Sequence, residues 1–215
     1  FSSGMSCSGS DAESRFEYMK ELRGEFSGTP DTVLKAYADE IVHHKEWLKA
    51  LGATDDMLVD YAGTNWEWGE LPHATATELF SFNKEDENDM THVVKFLNAA
   101  LEQRADSVTR LNEAPLVALV HDPESKKVLG GVYEYKNKTV YAKANKGVIM
   151  CCGGFENDSV MVQDYLSYPK AHPAAGLCNT GDGPRICGQL GADMWTMNSY
   201  AGGWNKAVKL DGSEM

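Results

Sequence analysis

The sequence lacks the features that define several common protein classes. No apolar run reaches the roughly 18 residues that a membrane span requires. There is no CxxC spacing, no Gly-x-Ser-x-Gly elbow and no Walker-type loop. Positive charge is scarce, since 20 Lys and Arg residues stand against 32 Asp and Glu residues, for a net charge of −12. Because nucleic-acid binding needs a concentrated basic surface, we expect no nucleic-acid partner. Because no apolar run is long enough, we also expect no membrane span in this chain.

The cysteines and histidines give no pattern of a metal site. The count of five cysteines is odd, and Cys151 and Cys152 are adjacent within an apolar run. None of the six histidines shows zinc-like spacing. We therefore predict buried free thiols, no disulfide framework and no bound metal.

Helical patterning dominates the first hundred residues. One helix is predicted from about Asp11, a second over residues 31–51 with a gap in its apolar spacing near residue 44, and a third over about 89–104. Residues 53–85 read as a long loop, because Trp66 and Trp68 lie there in a Gly-rich, acidic stretch.

Short strands are predicted after the third helix. Turn residues separate most of them, as in an antiparallel meander. The strand patterns cover Ser107–Leu111, Leu116–His121, Val128–Tyr135 and Thr139–Ala144.

Two glycine-containing turns carry the chemical information. The apolar run Gly147–Cys152 predicts a strand buried on both faces of a parallel sheet, and Gly153 and Gly154 follow it. Glycines at such a turn let the backbone approach a flat or anionic ligand closely. A second turn, Thr180–Gly183, places Asp182 at a predicted helix start, where a carboxylate can cap the helix or accept hydrogen bonds from sugar hydroxyls. Helices are predicted from about Asp158 and over residues 183–190.

In this order, the segments resemble the FAD-dependent family of fumarate reductase flavoproteins, urocanate reductases and 3-ketosteroid Δ1-dehydrogenases. Ala144–Phe155 is similar to the family's strand ending in ATGGF, and Thr180–Arg185 followed by Gly191–Ala192 is similar to its TGDG-x-R helix ending in GA. Upstream, Trp47–Gly52 resembles a WLxxLG helix end and Ala114–Leu119 a TPVxxL strand.

The resemblance implies FAD as cofactor and a set of residues that bind it. Asp182 matches the family's FAD-contacting aspartate. Cysteine replaces the threonine of the family's Thr-Gly-Gly, so backbone contacts are expected there rather than a hydroxyl contact. The implied cofactor-binding residues are Ser3, Gly4 and Met5 at the flavin and pyrophosphate, Leu116 at the adenine, Cys152, Gly153 and Gly154 beside the adenosine, and Asp182.

The resemblance also implies a fold class and a domain division. We expect an α/β chain that forms part of a Rossmann-like FAD-binding domain, with a helical segment, an inserted antiparallel β-meander and the start of a substrate (capping) domain. Residues 1–192 are expected to be the second part of the FAD-binding domain, and residues 193–215 the beginning of the capping domain. The family's GxGxxG turn is absent, and the chain begins with Phe1. We therefore expect an internal piece that is inactive alone and holds FAD poorly, and its cellular compartment stays open.

The implied reaction is hydride transfer between FAD and an activated carbon–carbon bond, as in reduction of an enoate or enone. Fumarate-type enzymes carry an HPT tripeptide where this chain reads Met197–Trp204, which contains no histidine. This aromatic, Gly-rich segment favours a larger and flatter substrate, with Tyr200 and Trp204 as candidate substrate-binding residues. Dehydrogenation of a 3-ketosteroid is therefore the alternative. The substrate is a small molecule, the electron donor or acceptor is unidentified, and the sequence selects no catalytic residue.

A different class of function also fits the composition. A cofactor-free α+β binding or scaffold domain accounts for a folded chain of this length. It does not account for two successive glycine turns followed by an acidic residue.

Overall fold

The chain forms two compact units, residues 1–109 and 110–215. The computed structural model describes residues 5–25, 28–60, 68–82, 91–167, 173, 177–195 and 197–198. Within these ranges the fold mixes helices with antiparallel sheets. The longest described helix has 12 residues, too few to cross a bilayer.

The described residues form six α-helices and six β-strands. Two short 3-10 turns, Asp55–Met57 and Ala74–Ala76, precede the second and third strands. In chain order the elements are β1 (Met5–Gly9), α1 (Ala12–Arg23), α2 (Asp31–Ile41), α3 (His44–Ala50), β2 (Leu58–Asp60), β3 (Thr77–Phe82), α4 (His92–Glu102), β4 (Leu116–His121), β5 (Val128–Tyr135), β6 (Lys138–Lys143), α5 (Ser159–Leu166) and α6 (Asp182–Gly188).

The first unit begins its helices where the sequence predicts them. Asp11 caps α1, accepting a hydrogen bond from the Ser14 amide at 2.7 Å. The helix predicted over residues 31–51 is two helices, α2 and α3, because a turn at residues 42–43, where His43 departs from helical geometry, interrupts it next to the gap in the apolar spacing.

A three-stranded antiparallel sheet of order β1-β3-β2 corrects the prediction of a loop over residues 53–85. The central strand β3 pairs Ser81 with Met5 on one side and Phe82 with Leu58 on the other. Sequence patterning missed this sheet because β2 has only three residues and β1 is a run of small polar residues. Their strand conformation depends on pairing with a distant segment rather than on local propensity.

Aromatic side chains of β3 form the core of the first unit. Phe80 is completely buried and Phe82 is 3% exposed, and both pack with Leu48 of α3. Phe96 of α4 lies with its ring centroid 5.0 Å from that of Phe82. The core therefore joins β3 to helices on both sides of it in the sequence.

The second unit contains the predicted meander. Strands β4, β5 and β6 form an antiparallel sheet in chain order, with Leu116 opposite Tyr133 and Tyr133 opposite Val140. The three strand predictions over residues 116–144 are thus confirmed. Residues 107–111 form no strand, which corrects the fourth prediction.

The predicted buried strand Gly147–Cys152 is wrong for the described structure. Residues 144–154 form no strand, and the Ile149 side chain is 90% exposed. A strand needs a neighbour to accept its backbone hydrogen bonds, and the described sheet of this unit ends at β6. The five cysteines are free thiols and none is fully buried, which corrects the prediction of buried thiols, and those of Cys151 and Cys178 are exposed.

Candidate cofactor-binding site

The two glycine turns singled out in the sequence lie side by side in the second unit. The Gly181 amide donates a hydrogen bond to the Gly154 carbonyl at 3.0 Å. The Asn157 amide donates to the Asn179 carbonyl, also at 3.0 Å. The predicted sites at residues 152–154 and at Asp182 are therefore parts of one surface.

Glycine is required at one position in each turn. Gly153 has φ +72° and Gly181 has φ +81°, both in the left-handed region that β-carbon-bearing residues avoid. A Cβ on Gly153 would overlap the Asn179 side chain, and a Cβ on Gly181 would overlap the Met161 sulfur. These positions explain why the sequence carries glycine there independently of any ligand.

A polar pair that the sequence analysis missed lies against the first turn. The Asn179 side-chain amide donates a hydrogen bond to the Glu156 carboxylate. The same carboxylate lies 2.6 Å from the position that a Cβ on Gly154 would take. Neither residue belongs to a recognisable sequence motif, so their role emerges only from the contact between the two turns.

Asp182 occupies the first position of α6, and its side chain is 62% exposed. The Thr180 hydroxyl donates to its Oδ2 atom over 3.4 Å, at the long limit for a hydrogen bond. Its Oδ1 atom lies 4.0 Å from the Arg185 guanidinium, beyond hydrogen-bond distance. The carboxylate thus has acceptor capacity directed to the surface beside both glycine turns.

A second acidic residue joins the same turn from the neighbouring helix. Asp158 caps α5, accepting hydrogen bonds through Oδ1 from the amides of Val160 at 3.0 Å and Met161 at 2.9 Å. Its Oδ2 atom accepts a hydrogen bond from Arg185. Arg185 also donates to the Thr180 carbonyl at 2.7 Å. The sequence placed Arg185 in a motif, but it gave no sign of its link to Asp158.

The remaining predicted residues fall at different places. Cys152 is partly buried, with its Cβ 3.4 Å from the position that a Cβ on Gly183 would take. Leu116 begins β4, and α6 packs against that strand, so Leu116 belongs to the same unit as Asp182. Met5 begins β1 of the first unit.

Four of the predicted site residues have no described position. Two are Ser3 and Gly4, predicted at the flavin and pyrophosphate; the other two are Tyr200 and Trp204, predicted at the substrate. All four lie outside the described residues.

These residues fit part of a dinucleotide. The space beside the glycine turns is filled by the side chains of Asn179, Glu156 and Met161, so the feature that fits a dinucleotide is the exposed Asp182 carboxylate, which can accept hydrogen bonds from hydroxyls. The described ranges contain no cluster of side chains suited to a metal ion.

A sequence model described as "FAD binding domain" matches residues 2–202. The chain belongs to this family of FAD-binding domains. The match confirms the family resemblance and FAD as the cofactor of the family. Among curated proteins, none gives a significant match to the sequence.

Solved structures of two ketosteroid dehydrogenases and of a fumarate reductase share the fold. The 3-ketosteroid Δ1-dehydrogenase of Sterolibacterium denitrificans, in complex with 1,4-androstadiene-3,17-dione, superposes with a TM-score of 0.70 at 17% identity, covering 99% of this chain and 51% of that one. The 3-ketosteroid-Δ4-(5α)-dehydrogenase of Rhodococcus jostii RHA1, in complex with 4-androstene-3,17-dione, gives 0.66 at 19% identity, covering 87% and 42%. A flavocytochrome c3 fumarate reductase in an open conformation gives 0.62 at 18% identity, covering 85% and 30%. The chain thus spans about half or less of the length of these neighbours.

Proposed function

We propose that this chain is the part of a flavoprotein oxidoreductase that holds the adenosine portion of FAD, in an enzyme that transfers hydride between FAD and an activated carbon–carbon bond. The observation that supports it most directly is the exposed Asp182 carboxylate beside the paired glycine turns, in a chain of the FAD-binding domain family. Flavin, when bound, supplies the redox chemistry, and the protein supplies binding, orientation and electrostatics.

Each proposed binding residue has a role that its chemistry allows. Asp182 accepts hydrogen bonds from ribose hydroxyls, because its carboxylate is exposed and both of its oxygens are acceptors. The backbone of residues 152–154 lies against the adenosine, and the backbone of Leu116 contacts the adenine. Residues 3–5 are proposed to contact the flavin and the pyrophosphate.

We further propose that residues 1–192 are the second part of a Rossmann-like FAD-binding domain and that residues 193–215 begin a capping domain. The likeness to parts of much longer flavoproteins supports this division. The antiparallel sheet of β4–β6 is the segment that we propose as the inserted meander.

Reduction of an enoate or enone is the proposed direction, with a small-molecule substrate and a separate electron donor. The alternative is dehydrogenation of a 3-ketosteroid-like substrate. Two features favour the alternative: two of the structural neighbours are 3-ketosteroid dehydrogenases, and residues 197–204 contain no histidine to grip a substrate carboxylate. Tyr200 and Trp204 are the proposed substrate-binding residues. Turnover of an enone against a saturated 3-ketosteroid distinguishes the two.

The cofactor assignment is tested by FAD titration of the longest natural polypeptide that contains this sequence. We expect Asp182→Ala to weaken FAD binding about tenfold or more, since a hydrogen bond to a charged group contributes about 1.5–3 kcal/mol. Flavin fluorescence and calorimetry measure the dissociation constant. The 215-residue chain alone is expected to bind FAD more weakly than the longer polypeptide.

Asp164→Ala is the matched control, because Asp164 is an exposed aspartate on α5 of the same unit. Equal losses in the two variants would remove Asp182 from the site. Failure of the longer polypeptide to take up flavin under any redox condition would favour the cofactor-free scaffold domain instead.

A further inference from the structure

We infer that Arg185 and Asp158 form a positioning pair that fixes the Thr180–Asp182 turn and so sets the orientation of the Asp182 carboxylate toward FAD. The inference rests on the proposed role of Asp182 in cofactor binding. Neither residue was assigned a role from the sequence, and neither is proposed to contact the cofactor.

The Arg185 side chain holds the turn from two directions. One terminal nitrogen of its guanidinium donates to the Thr180 carbonyl at 2.7 Å, and the other donates to Asp158 Oδ2. In addition, the Arg185 amide donates to the Gly181 carbonyl at 3.1 Å. Residues 180 and 181 are thus both tied to Arg185, and Asp182 follows them directly in the chain.

Asp158 is anchored firmly enough to serve as the fixed end of this connection. Its side chain is 11% exposed, against 50% for Arg185. Its Oδ1 atom already caps α5 through two amides, which leaves Oδ2 for the guanidinium. Loss of the arginine would leave a nearly buried carboxylate without its cation and the Thr180 carbonyl without its side-chain donor, so the turn would lose its connection to α5.

Arg185 makes no hydrogen bond to the Asp182 carboxylate, whose described hydrogen bond is the long one from the Thr180 hydroxyl. The nearest nitrogen of Arg185 is 4.0 Å from Asp182 Oδ1, too far to occupy its lone pairs. Thus Arg185 holds the backbone on the N-terminal side of Asp182 and leaves the carboxylate available. A planar fork is needed to reach a carbonyl and a carboxylate together, and lysine has a single nitrogen at its end.

The test is a double-mutant cycle in the longest natural polypeptide that contains this sequence. FAD dissociation constants and apoprotein melting temperatures are measured for the wild type, Arg185→Gln, Asp182→Ala and the double variant. We expect Arg185→Gln to weaken FAD binding about tenfold, and to add little further loss in the Asp182→Ala background. Arg185→Lys should recover only part of the affinity, and it replaces Arg185→Gln in the cycle should that variant not fold.

Arg23→Gln is the matched control. Arg23 likewise donates to a backbone carbonyl, that of Thr29 at 2.8 Å, and to a carboxylate, that of Asp31, but it lies in the first unit. It should leave FAD affinity within about twofold of the wild type, within the scatter that surface substitutions show.

The outcomes separate the inference from the proposed function. The positioning role would be overturned by an unchanged FAD affinity in both Arg185 variants. It would also be overturned if the losses of FAD binding free energy in the Arg185 and Asp182→Ala variants were fully additive, and in either case the role of Asp182 would stand. A wild-type affinity in Asp182→Ala would overturn the role of Asp182 and the inference with it. A lower apoprotein melting temperature with unchanged FAD affinity would assign the pair a purely structural role.

Discussion

The two units of this chain are stabilised in different ways. The first has a closed core of large side chains, with Phe80 completely buried and Phe82 3% exposed. In the described part of the second, the buried apolar side chains are Val132, Val162 and Ile186, while Ile149 is 90% exposed. The second unit holds its two glycine turns together through backbone hydrogen bonds and the link between Asp158 and Arg185.

This difference suits the second unit to ligand binding. Side-chain packing fills space, whereas turns joined through their backbones leave carboxylates and peptide groups at the surface. The first unit therefore depends on apolar volume, and the second on hydrogen-bond geometry. In the first unit, substitutions that reduce apolar volume should therefore destabilise the fold more than substitutions that remove hydrogen bonds. In the second unit, the reverse is expected.

Phe80→Ala should have the largest effect, confined to the first unit. Removing a fully buried phenylalanine costs about 3–5 kcal/mol of the free energy of unfolding, because a cavity is left in the core. Hydrogen exchange followed by mass spectrometry should show lost protection in peptides from residues 28–60 and 68–82. Peptides from residues 116–143 should keep theirs, and a parallel loss there would show that the two units unfold as one.

The sequence predicts well those elements that local pattern determines, and less well those that depend on contacts between distant segments. Strands β4–β6 were predicted because each alternates or runs apolar between turn residues, so local pattern and final structure agree. Strands β1 and β3 pair across more than sixty residues of chain, as Gly9 lies opposite Thr77, and no local signal marks that pairing. The run Gly147–Cys152 has the composition of a buried strand, but the described structure gives it no neighbouring strand.

The residues of the candidate site also fall into two groups, those marked by short sequence motifs and those recognised only from contacts between distant segments. Gly153 and Asp182 were identified because short motifs carry them, and the structure brings their turns together. The Asn179 contact to Glu156 and the Arg185 contact to Asp158 arise only when the turns meet. Sequence patterns therefore identified the residues that are proposed to bind the cofactor and missed those whose contacts join the two turns.

A smaller effect is expected at the turn between β4 and β5, and it depends on pH. Backbone and hydroxyl hydrogen bonds from Ser125, at 2.7 and 2.8 Å, hold the pKa of Asp122 below its ordinary value. A lowered folded-state pKa stabilises the fold above the unfolded-state pKa of about 3.9, and this stabilisation is lost as pH falls through the folded-state value. The urea midpoints of wild type and Asp122→Ala should therefore differ by a constant amount at neutral pH and converge in acid.

Glu124→Gln is the control for that titration. Glu124 lies in the same turn, where its amide donates to Asp122 at 3.1 Å, so the substitution changes a neighbouring carboxylate but keeps the hydrogen bond. Its midpoint should follow the wild type at every pH. A difference between wild type and Asp122→Ala that grows in acid would contradict the sign of the pKa shift.

Ile149→Ser should have the smallest effect of the three, although it removes a large apolar side chain. A group that is 90% exposed buries little apolar area in the folded chain, so its loss should change the free energy of unfolding by no more than about 0.5 kcal/mol. Val132→Ala is the matched comparison, because Val132 is 8% exposed in the same unit. Urea titration of the 215-residue chain should show a larger loss in the free energy of unfolding for Val132→Ala than for Ile149→Ser. A loss for Ile149→Ser as large as that for Val132→Ala would mean that residues 147–152 are covered in solution. Apolar packing would then contribute more to the stability of the second unit than its described residues indicate. The two units would differ less in how they are stabilised.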